Sequence, residues 1–209
     1  MEFDLDEFIE ALREGLQDSA QQSFADMCAA ECAITNREIF VGTIGPGLGD
    51  NVDMYIRYWN MKDDEAGIPV EKRQPIKVYI DSNGGCLDDT LTMIDAISMS
   101  KTPVWTICVG NAYSGGFFTF IAGHKRIAYP MSSFMFHEGS TNSGTVDAGK
   151  FRNYADFYSR QMELLKKVTL KYTKISEEDY EHHRKDDWWF FAEEGIQYGF
   201  VDEIAKELI

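Results

Sequence analysis

Hydrophobic positions along the chain recur with two different periods. Near the N-terminus Leu5, Phe8, Ile9, Leu12 and Leu16 repeat every three to four residues with acids between them. That spacing predicts an amphipathic helix or helix pair over residues 4–30. Residues 38–44 (EIFVGTI) read as a strand ended by Gly45-Pro46-Gly47. A helix over about residues 51–61 is expected next, then a polar loop to about residue 74.

A strand–helix alternation follows. Residues 76–81 (IKVYID) form a short β-rich run ending in Asn83-Gly84-Gly85, and Leu87, Leu91, Ile94 and Ile97 then fall on one face of a helix. Residues 104–109 (VWTICV) predict a second buried strand, closed by GNAYSGG, and an apolar helix runs from Gly115 to about Ala122. Residues 132–137 (SSFMFH) alternate as a strand, with Phe134 and Phe136 on one face and Met135 and His137 on the other. A long helix is predicted over residues 148–172. Its aromatic positions, Phe151, Tyr154, Phe157 and Tyr158 among them, exceed what one small domain covers and point to burial against a partner subunit. Ser176 stands as the N-cap of a further short helix. The chain is expected to close with a turn, a short helix and a final strand. Strands alternating with helices imply βαβ units and a mainly parallel sheet, with both glycine turns at the C-terminal ends of adjacent strands.

Composition narrows the function classes. At 209 residues and 44% hydrophobic content the chain suits one domain with a sizeable core. Its 35 acidic residues against 20 basic ones give a net charge of −15, which disfavours nucleic acid and anionic membrane partners. The opening MEFDLDEF lacks the charged and apolar regions of a signal peptide, and the longest apolar stretch, near Phe117–Ala122, is far short of a membrane span. A soluble cytoplasmic protein is expected. Cys28 and Cys32 are four apart, but no second pair follows at zinc spacing, so four buried free thiols and no metal site are the expectation.

Several residues carry possible chemistry, each with a plain structural alternative. Ser114 sits where a strand ends and a helix begins, so it is either a cap or a nucleophile approached by free helix amides. Gly84-Gly85 is either a tight turn or a source of bare amide donors for an oxyanion. His137, at the end of a strand expected beside the serine strand, is either structural or a general base. His124, His182 and His183 lie in charged surroundings and are expected to be solvated. Asp187 follows Asp186 ahead of two tryptophans that can shield a carboxylate from water.

Together these segments match one family. VYIDSNGG, TICVGNAYSGGFF, SSFMFHEG and DDWWFFAEEGIQYGFVDEI resemble the proteolytic subunit of the Clp protease, in order and near its spacing, over about residues 36–209. The resemblance implies an α/β fold of the Clp protease/crotonase type: stacked βαβ units, a long protruding handle helix at about 148–172, and an N-terminal helical extension over residues 1–35. It implies a serine endopeptidase that cuts unfolded polypeptides or peptides inside an oligomeric chamber. Ser114 falls on the nucleophile, His137 on the general base and Asp187 on the orienting acid, chosen over Asp186 by the register of the AEEGIQYGFVDE segment. Gly85 and Gly115 fall on the oxyanion-hole positions, and no cofactor is implied. The implied partners are copies of the chain itself, as two stacked heptameric rings, together with an AAA+ unfoldase.

Departures from the family pattern bear on the unfoldase more than on the chemistry. Asn83 replaces a proline before the two glycines, and Lys77 and Met99 stand where the family tends to carry docking aromatics, though Tyr79 is kept. The loop over residues 63–74 is long, and the helical N-terminus, replacing an axial loop, is expected to control access. Two rival readings are a catalytically silent ring subunit with a scaffolding role and a crotonase-type acyl-CoA enzyme. The second has no use for a Ser–His–Asp set and favours basic residues near the phosphates, whereas the glycine turns are flanked by Asp81, Asp88 and Asp89.

Overall fold

A computed structural model describes residues 24–139 and 147–209. The predicted helices over residues 4–30 lie mostly outside that range, as does any gating by them. What is described begins with helix α1 (Phe24–Thr35), whose Ala33 and Ile34 are buried against the body. The Trp59 indole donates to the Ala33 carbonyl at 2.9 Å and fastens the helix there.

Among the described residues seven strands make the sheet: β1 (Glu38–Val41), β2 (Ile76–Ser82), β3 (Val104–Tyr113), β4 (Lys125–Ala128), β5 (Ser133–Phe136), β6 (Trp188–Phe191) and β7 (Glu203–Ile204). The main path runs β1-β2-β3-β4-β7, parallel throughout. The helices between them are α2 (Leu48–Glu65), α3 (Leu87–Met99), α4 (Gly115–Ile121), α5 (Ala148–Tyr172), α6 (Glu177–His183) and α7 (Ala192–Gln197). This is the α/β architecture expected from the alternation of strand and helix patterns.

Three differences from the sequence reading matter for the site. Strand β3 does not stop at Val109. Its first part pairs with β4 through Trp105–Cys108, and it then continues past Gly110 to pair with β5 through Asn111–Tyr113. The charged run Lys125–Ala128 is a strand, closed by Arg126 gripping the Asp202 carboxylate and the Tyr172 carbonyl. Residues 188–191 (WWFF) form β6, antiparallel to β5, where only a turn was expected.

The core lies between the sheet and helices α2, α3 and α4. Val78 and Ile80 of β2 and Val104 and Cys108 of β3 meet Met93, Ile94 and Ile97 of α3, all under 5% exposed. A second, smaller cluster on the opposite sheet face gathers Tyr79, Ile107, Ile127 and Ala205, as the two-residue alternation of strands requires. Phe117, Phe120, Phe134 and Phe200 interlock below the C-terminal end of β3 with centroids 4.9–5.3 Å apart where they touch, Phe200 meeting Phe117 and Phe134 edge to face and Phe120 tilted on Phe134. Helix α5 follows the predicted span to the residue. Its second half docks through Met162, Leu165 and Thr169, while Phe151, Tyr154 and Phe157 in its first half are exposed. Of the four cysteines only Cys108 is buried. Cys28, Cys32 and Cys86 are half-buried free thiols, because α1 and the start of α3 lie near the surface.

At the base of the sheet, opposite the glycine turns, charged side chains are buried and paired. Arg37 makes a two-pronged contact with Asp63, at 2.7 and 2.9 Å, and lies over the Trp59 ring. Thr102 donates to Asp63 at 2.8 Å, and Arg73 reaches Thr102, the Ile68 carbonyl and Asp64. The long polar loop is thereby tied into the body. Among the described residues no helix is long and apolar enough to cross a membrane.

Candidate active site

Ser114 is the residue between β3 and α4, and it is bent into an unusual conformation with φ 53° and ψ −121°. Such backbone in a side-chain-bearing residue costs on the order of 1–3 kcal/mol and persists only where the surroundings hold it. Here the Ser114 amide donates to the Met135 carbonyl at 2.9 Å, and its carbonyl accepts from Phe118 at 3.2 Å. Buried Phe117, Phe118 and Phe120 anchor the helix that follows. The bend lifts the hydroxyl toward His137.

Strand register supplies the rest. Tyr113 of β3 lies beside Met135 of β5, so Ser114 and His137 emerge from neighbouring strand ends. Phe136 of β5 lies opposite Trp188 of β6, so the next pair along the antiparallel ladder is His137 and Asp187. The distances agree: His137 Nε2 to Ser114 Oγ is 2.7 Å and His137 Nδ1 to Asp187 Oδ1 is 3.1 Å. Asp187 is the aspartate in contact. Asp186 instead uses its amide to cap the His183 carbonyl at 3.0 Å.

Trp188 and Trp189 do not shield Asp187, whose side chain is 56% exposed. They point sideways instead, Trp188 stacking on His183 at 4.0 Å and Trp189 meeting Tyr113 edge-on at 5.0 Å. His124 is exposed, as expected, but one ring nitrogen is engaged. Its Nδ1 accepts the Val104 amide at 2.9 Å, and partial desolvation pushes its pKa down, so it serves the start of β3 rather than the site.

The Gly84-Gly85 turn is pressed against the serine. A Cβ on Gly84, which has φ +90°, would stand 2.8 Å from the Ser114 Cβ and 2.9 Å from the Gly115 nitrogen. A Cβ on Gly85, at φ +147°, would strike the Ile44 carbonyl oxygen at 2.1 Å. Only glycine fits either place. Ile44 holds the turn from behind, donating to the Gly84 carbonyl at 3.0 Å and accepting from Cys86 at 2.7 Å. Asn83, in place of the family's proline, is tied to Asn111 at 2.9 Å, which links the two turns. The Gly115 amide, first in its helix, has no acceptor within the helix.

Ser114, His137, Gly85 and Gly115 line one cavity of about 550 Å³, walled by Phe118 of α4, Leu87 of α3 and Met162 and Leu165 of α5. All five residues singled out from the sequence, Asp187 included, therefore converge at one pole of the sheet. Sequence reasoning missed Gln161, an inward-facing polar residue of α5 in the same cavity. Its signal was a polar side chain in phase with Tyr158, Met162, Leu165 and Thr169 on the buried stripe.

A family model described as Clp protease matches residues 69–207. The ATP-dependent Clp protease proteolytic subunit of Deinococcus radiodurans is 31% identical over 183 residues, covering 83% of this chain and 82% of its own. Subunit 3 of the same protease from Synechococcus sp. (strain CC9605) is 30% identical over 173 residues, covering 81% and 82%. With four motifs in register, a matching α/β fold and relatives aligned over most of both chains, this chain belongs to the Clp protease family as a divergent member.

Proposed function

We propose that this protein is a serine endopeptidase that cleaves unfolded polypeptide by acyl transfer. The observation that carries the reading is the unbroken chain of contacts from Ser114 Oγ through His137 to Asp187, at 2.7 and 3.1 Å. Ser114 attacks the peptide carbonyl while His137 Nε2 takes its proton. Asp187 keeps the proton of the imidazole on Nδ1 and stabilises the imidazolium that forms. The Gly85 and Gly115 amides receive the oxyanion. His137 then protonates the leaving amine, and water, activated by the same histidine, releases the acyl-enzyme. An extended substrate adds as a strand beside the glycine turn and α5, since backbone pairing tolerates many sequences.

The peptidase unit is taken as residues 36–209, with residues 1–35 as an extension. The exposed aromatic face of α5 supports assembly with further copies of the chain into stacked rings. Relatives named as subunits of an ATP-dependent protease support an unfoldase partner. Lys77 instead pairs with Glu38 at 3.4 Å, Met99 is 79% exposed, and the Tyr79 hydroxyl is taken by the Ile209 carbonyl, so such a partner meets a surface differently built from the family's usual one.

A fluorophosphonate probe tests the chemistry. The assembled protein should label at Ser114, and labelling should vanish in Ser114→Ala and His137→Ala. Absence of labelling in correctly assembled protein would favour a silent scaffold.

A further inference from the structure

The cavity in front of Ser114 is walled unevenly. One side is apolar, formed by Phe118, Met162 and Leu165. Asp88, an exposed residue in the first turn of α3, also lines the cavity. Gln161, only 8% exposed, donates through Nε2 to Asp88 Oδ1 at 3.2 Å. A buried amide on α5 thus fixes a carboxylate that faces the cavity.

The neighbouring aspartates have other duties. Asp89 accepts the Gly47 and Gly49 amides, both at 2.8 Å, and so braces α2 against α3. The Cys86 thiol and those two amides hold its carboxyl below the usual range. Asp81 accepts the Asn111 amide at 3.1 Å and braces the two glycine turns. Among the described residues, the acidic side chains lining the cavity are Asp88 and Glu138, and Glu138 is paired with Arg184 at 2.9 Å. No described lysine or arginine lines it.

We infer that Asp88, positioned by Gln161, makes this cavity a subsite for a basic side chain of the substrate. The inference rests on the peptidase reading above. A lysine or arginine on the acyl side of the scissile bond lays its methylene stem along Phe118, Met162 and Leu165 and brings its cation to Asp88. The acyl side is the one addressed because Ser114, Gly85 and Gly115, which take the attacked carbonyl in the proposed mechanism, themselves line the cavity. An acidic side chain meets Asp88 without a compensating cation and is refused. An aliphatic one gains the apolar wall alone.

The test is a set of fluorogenic peptides differing only in the residue supplying the attacked carbonyl: lysine, methionine or glutamate. The wild type should cut the lysine peptide at least about tenfold better than the glutamate peptide, as ranked by kcat/KM, a difference one charge contact readily supplies. Asp88→Asn should lower the lysine-to-methionine ratio about tenfold, and Asp88→Lys should invert the order of lysine and glutamate. Gln161→Leu, which releases the carboxylate without removing it, should lower the ratio by less. Fluorophosphonate labelling of each variant reports whether Ser114 remains competent. A lysine-to-methionine ratio unchanged in Asp88→Asn, with labelling intact, overturns the subsite and leaves the peptidase reading standing. A wild type that neither labels nor cleaves any of the three peptides overturns the peptidase reading and the subsite with it.

Discussion

The two poles of the sheet handle polar groups in opposite ways. At the base, Arg37, Asp63, Thr102 and Arg73 are buried and saturated, each charge meeting a partner and each partner meeting another. At the C-terminal pole, Ser114, His137 and Asp187 form a line that ends in an open cavity, with half of the Asp187 surface wet. The base shows what a sheet end looks like when its polar groups serve folding alone. The other pole shows bent backbone, bare amides and unspent hydrogen-bonding capacity, which stability would have removed and chemistry requires.

Substitutions can break that contrast. The largest effect is expected for Asp187→Asn, which removes the charge that orients His137. Peptide kcat/KM should fall by at least about a thousandfold with little change in a urea melt, because nothing at the open pole depends on this side chain for packing. Asp63→Ala should do the reverse. It strands the buried Arg37, and equilibrium unfolding in urea should report a loss of about 3–5 kcal/mol. Although burial pushes the Asp63 carboxyl upward, the bonds from Arg37 and Thr102 prevail and hold it below its unfolded value. Its contribution is therefore complete above the ordinary carboxylate range and lost as pH falls through the depressed folded value. An acid titration should show the wild type losing this stability at low pH and Asp63→Ala already lacking it.

Smaller effects sharpen the comparison. Ser114→Gly relieves the positive φ and should raise stability by about 1 kcal/mol while abolishing probe labelling; an unchanged or lowered melt would mean that the bend stores no strain. Tyr180 is fully buried under Phe136, and its hydroxyl has no partner among the described residues. Tyr180→Phe should be neutral or stabilising by up to about 1 kcal/mol in the same melt.

The sequence disclosed these poles unequally. Helix α5 was legible to its ends because its periodicity persists over many turns, and Ser176 was legible as a cap because its hydroxyl accepts the Asp179 amide. Strands β4 and β6 are four residues each, too short for alternation to rise above the charged KRIA and the wholly aromatic WWFF. Gly110 resembled a terminator, yet β3 runs through it because β5 takes over the pairing that β4 relinquishes. For the site, residue types alone left each member open between structure and chemistry. The resemblance drew Ser114, His137 and Asp187 together. The reason they meet lies in the β5–β6 ladder, a long-range pairing that no local pattern encodes.

That ladder has a consequence for how the molecule can be rebuilt. The chain departs after Phe136 and comes back at Trp188 to the same rung, so everything between, α5 and α6 included, is one elaborate hairpin connection. Lengthening, shortening or exchanging that excursion leaves the histidine and aspartate facing each other, because the aromatic rungs Phe134–Phe190 and Phe136–Trp188 set their alignment. Gln161, Met162 and Leu165 ride on the excursion itself, whereas Asp88, Leu87 and Phe118 belong to the body. On the proposed reading, a grafted hairpin insert would therefore reshape one wall of the cavity while leaving Ser114, Asp88 and the two glycine turns in the body untouched.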